Sequence, residues 1–348
     1  MRVLVDIVHP ADVLFYKNII SDLGASGHDF LILARDKDVT HDLLDAAGLD
    51  YQTIGKSGRK GPLRFATELM RRLARLTRLG MRFKPDLILT RNPAGVMAAK
   101  LLRVPGIFDT DDGRQVGIYW RAAVPFATVI TMPDYLTDDY RGRRVAYPSY
   151  KALAHLHPNR FSPDPSVRSD LGLSDGERYF IVRLVALAAF HDRHARGIDV
   201  DLRSMIVSTL SETGRVFMTT ESPLPPELAD LAFPLPPHRM HDALAYCALL
   251  VGDSQSMTAE AAVLGVPSIR LTSWAGRLPV LTELESEYGL SFEYTPDRRE
   301  EFEAKLRELS SRDDRDRWQE GRRRLLADKI DLTPWYEDLM LSIARRSR

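Results

Sequence analysis

The sequence lacks the features that mark several large classes of protein. A single cysteine, Cys247, occurs among 348 residues, which excludes an intrachain disulfide framework and a cysteine-based zinc site. No run of about 18 apolar residues is present, so we expect no membrane-spanning segment. The 48 basic residues balance 48 acidic ones, which excludes a basic field over the whole protein for nucleic acid. These absences favour a cytoplasmic protein without a nucleic-acid partner.

Glycine is missing at the position where two common nucleotide-binding folds require it. The first predicted strand is followed by HPAD at residues 9–12, and neither a dinucleotide-binding glycine fingerprint nor a Walker loop follows any strand. Nicotinamide-dependent dehydrogenases and P-loop kinases are therefore poor interpretations of this chain.

The composition is otherwise that of an ordinary globular protein, with 44% hydrophobic and 28% charged residues. In the first half, continuous apolar runs alternate with helical patterns, as in a parallel sheet covered by helices on both faces. The predicted strands are residues 3–8, 30–34, 51–54, 87–90, 106–109 and 129–132, and the predicted helices are residues 12–26, 38–47 and 94–102.

The alternation restarts after residues 158–165, which are rich in proline and polar residues and predict a linker. The later strands are predicted at 180–182, 215–219, 249–252 and 267–271, the helices at 199–213, 241–247 and 258–264, and one or two final helices at 325–344. We therefore expect an α/β protein with two Rossmann-like doubly wound domains facing a central cleft. The expected domains are 1–158 and 159–330, with a C-terminal helix at 331–348 packed back on the first.

One polar turn between a predicted strand and a predicted helix has the chemistry of a diphosphate site. The strand ends at Gly252, and Asp253, Ser254, Gln255 and Ser256 lead into a helix that starts near Ser256. Free backbone N–H groups at a helix start bind phosphate, and the serine hydroxyls add donors. Glu260, one turn further, can accept hydrogen bonds from ribose. The alternative is that a serine simply caps the helix and Glu260 is solvated, and spacing alone favours that alternative.

This segment resembles the nucleotide-sugar site of GT-B glycosyltransferases and of non-hydrolysing UDP-GlcNAc 2-epimerases. The resemblance implies that Asp253–Ser256 holds the diphosphate and Glu260 the ribose. Gln255 and Ser256 stand where glycines are usual, which implies a less close approach of phosphate. The resemblance also implies that the segment before the preceding helix, which contains Arg239 and Met240, contacts the base.

A second resemblance extends over nearly the whole chain. Its motifs are HPADV at 9–13, ARDKDVT at 34–40, YK at 150–151, LHP at 156–158, HD at 191–192 and GDSQSM at 252–257. These are similar to the domain-of-unknown-function 354 group, described as predicted GT-B-type glycosyltransferases. The resemblance implies a GT-B-like fold, a nucleoside-diphosphate sugar as donor with a UDP-sugar favoured, an acceptor that is a cell-surface polysaccharide or lipid-linked glycan, and no metal or other cofactor.

Transfer by inversion needs one general base near the cleft. His9 is the first candidate, because it ends the first strand, has an unperturbed pKa of about 6.5 and resembles the base of several inverting GT-B enzymes. The alternative is that His9 only caps the turn beside Pro10. Asp111 is the second candidate, with a structural or acceptor-side role as the alternative.

Arg183 follows the first strand of the second half, where a guanidinium can stabilise a leaving diphosphate in place of a metal. The alternative is a surface ion pair. We interpret the Asp109-x-Asp111 pattern and the histidine pairs 191/194 and 238/241 as non-metal.

An epimerase is the first alternative function. Asp111 matches an acid of those enzymes, but the loop at 90–93 has no carboxylate for their deprotonation chemistry, which favours transfer. A non-catalytic, membrane-associated binding module on the same fold is the second alternative, and the two missing glycines favour it.

Residues 59–84 contain nine basic residues and one acid, Glu68. A helix over 62–83 places an arginine stripe on one side and an apolar face on the other. Such a helix is a candidate for an anionic membrane at the inner face of the cell membrane. The alternative, slightly favoured, is that the apolar face packs on the sheet. The stripe consists of Arg64, Arg71, Arg75, Arg78 and Arg82, and the apolar face of Phe65, Leu69, Leu73, Leu76 and Phe83.

Overall fold

The structure is a computed structural model that describes residues 1–56, 62–184, 198–220 and 224–346. The basic residues Arg59 and Lys60 and the histidines His191 and His194 lie outside these ranges, as does the side chain of Arg64. The chain divides into two compact units, one of residues 1–155 together with the C-terminal segment from Ile330, the other of residues 156–329.

Among the described residues, the first unit has a sheet of seven parallel strands in the order β3-β2-β1-β4-β5-β6-β7. This order extends the Rossmann pattern by one strand. The strands are β1 (Arg2–Ile7), β2 (Asp29–Asp36), β3 (Tyr51–Lys56), β4 (Leu87–Thr90), β5 (Gly106–Asp109), β6 (Val129–Pro133) and β7 (Arg144–Tyr147). The helices are α1 (Pro10–Ala25), α2 (Thr40–Ala46), α3 (Pro62–Phe83), α4 (Pro93–Leu102), α5 (Ile118–Ala123) and α6 (Leu153–Leu156), with a 3-10 turn at Gly113–Val116.

The second unit has a sheet of five parallel strands within the described ranges, in the order β12-β11-β10-β8-β9. Its strands are β8 (Tyr179–Leu184), β9 (Arg215–Thr220), β10 (Leu249–Gly252), β11 (Ser268–Leu271) and β12 (Ser291–Tyr294). Its helices are α7 (Val167–Asp170), α8 (Val200–Ser211), α9 (Met240–Tyr246), α10 (Gln255–Leu264), α11 (Pro279–Ser286), α12 (Arg299–Ser311) and α13 (Arg315–Asp328), with 3-10 turns at Pro226–Leu231, Pro237–Arg239 and Pro296–Arg298. The predicted α/β class with two Rossmann-like sheets is confirmed.

The last helix, α14 (Leu332–Arg346), belongs to the first unit. Tyr336 and Met340 are fully buried there in the core that also contains Phe15 and Ile19 of α1. The rings of Phe15 and Tyr336 meet edge to face at 5.1 Å, a favourable aromatic geometry. The C-terminal helix is therefore an integral part of this core.

Every predicted strand is present in the structure, with ends that differ from the predicted ends by at most a few residues. Strands β7 and β12 were not predicted. Neither is a continuous apolar run: β7 begins with Arg144, and β12 contains the buried Glu293. The predicted start of the first helix at residue 12 was wrong by two residues. Helix α1 starts at Pro10 because proline suits the first helical position and His9 caps it.

The apolar face of α3 packs against the sheet. Leu76 is buried in the core cluster that contains Leu4 of β1 and Ile88 of β4, and the partly buried Leu69 and Leu73 pack against this cluster. This packing is the alternative that the sequence analysis slightly favoured for the apolar face. No helix in the described ranges is long and apolar enough to span a membrane.

One arginine of α3 points away from the stripe and into the core. Arg72 is 5% exposed and forms an ion pair with Asp6, which is fully buried in β1. The Arg72 Nε donates to Asp6 Oδ1 at 2.9 Å, and the guanidinium also donates to the carbonyls of Ile54 and Ile7 at 2.9 and 3.0 Å. Thr90 Oγ1 donates to the other Asp6 oxygen at 2.9 Å. This network joins the carboxyl ends of β1, β3 and β4.

We predict that Arg72→Leu lowers the free energy of unfolding by about 3–5 kcal/mol, because it leaves the buried Asp6 charge without its partner. Arg71→Leu is the matched control, since Arg71 is exposed on the same helix, and we expect a change within about 0.5 kcal/mol. Urea unfolding of both variants measures the difference. Equal stability of the two would contradict a structural role for Arg72.

Candidate functional site

The predicted phosphate turn lies at the carboxyl edge of the second unit's sheet. Gly252 ends β10 where it pairs with Arg183 of β8, and a Cβ at Gly252 would collide with the Arg183 carbonyl. Glycine is thus required by the close approach of the two strands. The Asp253 N–H then donates to the same carbonyl at 3.2 Å. The strand packing itself holds the start of the turn beside Arg183.

Helix α10 begins at Gln255, immediately after this turn. Ser254 is its N-cap, and the Ser254 Oγ accepts from the Met257 N–H at 3.4 Å. The predicted capping role of Ser254 is therefore present. The N–H groups of Gln255 and Ser256 make no hydrogen bond to any other described residue, as expected for the first turn of a helix. Two unpaired amides at a helix start form a site that can take an anion.

Glu260 lies one turn further along α10 and is only 8% exposed. Its Oε2 is 3.3 Å from Nε2 of His241, a buried residue of α9. The alternative of a solvated Glu260 is wrong. A buried carboxylate needs partners, and the His241 imidazole is one of them.

Arg183 is half-buried beside the turn, and its Nη1 donates to Thr219 Oγ1 of β9 at 3.1 Å. Arg239 ends the 3-10 turn before α9, and Met240 is the first residue of that helix. The Arg239 guanidinium contacts Asp242, Asp170 and Asp164 at 3.0, 3.0 and 3.2 Å. Because these three carboxylates pair with the Arg239 side chain, a nucleotide base would contact the backbone of this segment.

A buried ion pair that the sequence analysis missed supports the same turn. Arg270 of β11 and Glu293 of β12 are 3% and 6% exposed and pair with each other. The Arg270 Nη2 donates to the Asp253 carbonyl at 3.2 Å, and Glu293 Oε2 accepts from the Gly276 N–H at 3.1 Å. The pair therefore links the turn after β10 to the turn after β11.

A second polar group, the Arg91 cluster, lies at the carboxyl edge of the first unit's sheet. It consists of Arg91 and the three carboxylates of Asp12, Asp109 and Asp111. The Arg91 Nε is 3.5 Å from Asp12 Oδ1 and its Nη1 is 3.2 Å from Asp109 Oδ2, while Nη2 donates to Asp111. These carboxylates surround a cation supplied by the protein itself.

The cluster makes Asp111 a weak base. Burial by itself raises the pKa of Asp111, but the positive charges of Arg91 and Lys151 outweigh burial and hold that pKa below its usual range. A carboxylate with a lowered pKa accepts a proton poorly near neutral pH. The geometry therefore favours the alternative of a structural or acceptor-side role for Asp111.

Asp109 is fully buried at the end of β5. It accepts hydrogen bonds from Tyr336 of α14 at 2.5 Å and from Thr131 of β6 at 3.1 Å. Burial raises the pKa of Asp109, opposed by Arg91 and the Tyr336 hydroxyl. Both hydrogen bonds reach Oδ1, whereas Oδ2 lies 3.2 Å from Nη1 of Arg91.

His9 caps α1, as one alternative predicted. Its Nδ1 accepts from the Ala11 N–H at 3.2 Å, and Asp12 Oδ2 accepts from the His9 N–H at 2.9 Å. A neutral imidazole carries one proton, so an Nδ1 that accepts leaves that proton on Nε2. In this conformation Nε2 is a donor, so the ring can accept a proton from an acceptor hydroxyl only after Nδ1 gives up the Ala11 N–H.

The environment also keeps the His9 ring neutral. Partial desolvation of the ring, followed by the positive charge of Lys37, lowers the pKa of His9 to about 4, with further lowering by Lys151 and Arg91. Asp12 acts in the opposite direction. At neutral pH the imidazole is therefore uncharged.

The fold has the form of the GT-B class, in which two Rossmann-like α/β units occur in one chain. A UDP-GlcNAc 2-epimerase from Methanocaldococcus jannaschii matches with a TM-score of 0.65 and 15% identity, covering 93% of this chain and 98% of the other. The glycosyltransferase VinC in complex with dTDP gives 0.62 and 16%, covering 99% and 100%. The spinosyn rhamnosyltransferase SpnG gives 0.60 and 16%, covering 98% and 100%. At these identities the likeness shows the fold.

Residues 1–149 match the model of a family described as a protein of unknown function, DUF354. The resemblance predicted from the sequence motifs is confirmed, with the match covering the N-terminal part of the chain. No curated protein sequence matches significantly.

We predict that His9 titrates near pH 4 and that its neutral form carries the proton on Nε2. Histidine-ring NMR signals followed against pH measure both properties. Lys37→Gln is expected to raise the His9 pKa, because it removes a nearby positive charge. Lys56→Gln, the same change at an exposed lysine, is expected to leave it unchanged. A midpoint near 6.5, or a proton on Nδ1, would contradict the capped geometry.

Proposed function

We propose that the protein is a metal-independent glycosyltransferase that uses a nucleoside-diphosphate sugar, with a UDP-sugar favoured. The acceptor would be a cell-surface polysaccharide or a lipid-linked glycan. The observation that carries this proposal is the turn at 253–256, where two unpaired amides begin α10 between Arg183 and the buried Glu260. Helix-start amides favour a diphosphate.

Each neighbouring group has a role in this proposal. Arg183 offsets the negative charge of the leaving diphosphate, which a metal would otherwise do. Glu260 accepts hydrogen bonds from ribose hydroxyls, as an ionised carboxylate can. The backbone around Arg239 and Met240 contacts the base. No cofactor is proposed beyond the donor sugar nucleotide.

The names of the similar structures support a nucleotide-sugar ligand. VinC was solved with dTDP, and the Methanocaldococcus jannaschii enzyme is named for UDP-GlcNAc. Epimerisation is the alternative, because that enzyme shares the fold. The Arg91 cluster favours transfer, since deprotonation at a sugar carbon needs a strong base, whereas Asp109 and Asp111 are bound to a guanidinium. His9 fits the role of base if Nδ1 releases the Ala11 amide.

The arginine stripe of α3 suits an anionic partner. Arg71, Arg75, Arg78 and Arg82 are exposed, and the apolar side of the helix is packed in the core. Contact with an anionic membrane at the inner face of the cell membrane, or with a polyprenyl phosphate acceptor, would therefore be electrostatic. A cytoplasmic protein that docks peripherally fits this arrangement.

We predict that one nucleoside diphosphate, UDP first, stabilises the protein in a thermal-shift panel with GDP, CDP, ADP and dTDP. Glu260→Ala is expected to weaken its binding by about tenfold to a hundredfold, the range for a lost hydrogen bond to a charged group. Glu260→Gln, which keeps an acceptor oxygen, is expected to lose less. Calorimetric titration gives the affinities. A variant that melts earlier but binds UDP normally would give Glu260 a structural role only.

Product analysis on the donor alone separates the two enzymatic functions. A transferase does not epimerise the sugar nucleotide, and it needs an acceptor for turnover. An epimerase converts the donor into its epimer without an acceptor. His9→Ala is expected to abolish transfer while sparing nucleotide binding. Retained transfer would remove His9 as the base, and nucleotide binding without turnover on any acceptor would favour the non-catalytic module.

A further inference from the structure

The first unit contains a cavity at the end of its sheet opposite to the Arg91 cluster. Its volume is about 570 Å³, and its lining includes Pro105 and Thr128. These residues directly precede β5 and β6, whereas Arg91 and Asp111 follow strands at the carboxyl edge. The cavity is therefore separate from the candidate site of this unit.

The described residues that line the cavity include three cations and no carboxylate. The cations are Lys100 and Arg103, near the end of α4, and Arg143, which precedes β7. Within the described ranges, Lys100 and Arg103 have no ion-pair partner. A local excess of three positive charges is notable in a chain whose acidic and basic residues balance.

Arg143 builds the wall of the cavity and keeps donors available. Its Nη1 donates to the carbonyls of Val124, Pro125 and Ala127 at 3.3, 3.2 and 2.8 Å. These bonds fix the loop that enters β6. The guanidinium lies over the Tyr140 ring, with Cζ 5.7 Å from its centroid. No other described residue accepts a hydrogen bond from the Nε or Nη2 of Arg143, so these two nitrogens can donate to an anion.

The rest of the wall is apolar. Val104, Pro105 and Pro125 contribute to it, and Phe126, a large aromatic residue, is 38% exposed there. Cations beside an aromatic ring and prolines form a surface that is complementary to an anion attached to an apolar body.

Helix capping accounts for only part of this arrangement. Lys100 and Arg103 lie at the C-terminal end of α4, where positive charge complements the helix dipole. That effect does not explain why only Nη1 of Arg143 donates hydrogen bonds to described residues, nor why the exposed Phe126 lines the same cavity.

We propose that this cavity is a second binding site, specific for a phosphate group carried on a small apolar or aromatic body. The phosphate would contact Lys100, Arg103 and Arg143, and the body would contact Phe126. A lipid headgroup or a soluble organic phosphate offers the same chemistry. The proposal is independent of the glycosyltransferase function.

Calorimetric titration with phenyl phosphate and with inorganic phosphate tests the site in the full-length protein. We expect phenyl phosphate to bind about tenfold more tightly, because its ring buries apolar surface. Saturating UDP is present throughout to fill the proposed nucleotide site. If UDP does not bind, the nucleotide proposal fails, and the cavity is still measured by the variants below.

Two variants separate the two halves of the site. Arg103→Glu is expected to abolish binding of both probes, whereas Phe126→Ser is expected to remove the advantage of phenyl phosphate and spare inorganic phosphate. Both residues are exposed, so the fold should tolerate the changes. Arg307→Glu, an exposed arginine of α12 in the second unit, is the control and should bind as the parent does.

Dihexanoylphosphatidic acid distinguishes the source of the phosphate. Tighter binding than phenyl phosphate, lost in Arg103→Glu, assigns the site to a lipid headgroup, and weaker binding assigns it to a soluble phosphate ester. Equal binding of all probes to the parent protein and to Arg103→Glu would overturn the proposal, as would the absence of binding by any probe.

Discussion

The ion pair between Arg72 and Asp6 is the interaction on which the first unit depends. Arg72 comes from α3, whose other described arginines lie on its exposed side. The Arg72 side chain enters the core and pairs with Asp6 of the interior strand β1. Charges buried in this way are tolerated only when every polar atom finds a partner. Here the partners are the carbonyls and hydroxyl at the ends of neighbouring strands. His9 and the Arg91 cluster lie at the same edge of the sheet. The hydrogen bonds of Arg72 and Asp6 therefore also hold the strand ends that position those groups.

The second unit solves a similar problem with Arg270 and Glu293. This pair is also buried between strands, and it also reaches the loops at the carboxyl edge. In both units, therefore, the rigidity of the candidate site comes from charge buried beneath it. The amides that begin α10 are held in place by a strand, a glycine and a guanidinium rather than by the glycine-rich loop of other nucleotide-binding folds.

The fold could be predicted from the sequence because parallel strands are apolar on both faces and stand out as continuous runs. The turn at 253–256 could be located for the same reason, since it lies between such a strand and a helix. The buried pairs could not, because Asp6, Glu293 and Arg270 interrupt or border apolar runs and acquire partners only through strand order. The chemistry of His9 was equally hidden: its type and place indicated a base, but the proton position follows from one hydrogen bond to Ala11.

The pairing of Arg270 with Glu293 couples the substitutions that these two positions can accept. The two residues lie 23 positions apart in the sequence. Loss of either one leaves the charge of the other buried without a partner. Replacement of both by apolar side chains of similar volume, by contrast, is a change that folded proteins often accept. Divergent descendants of this chain should accordingly keep both residues or lose both together. Those that lose both give up the link between the turns after β10 and β11, and must hold the start of α10 by other means.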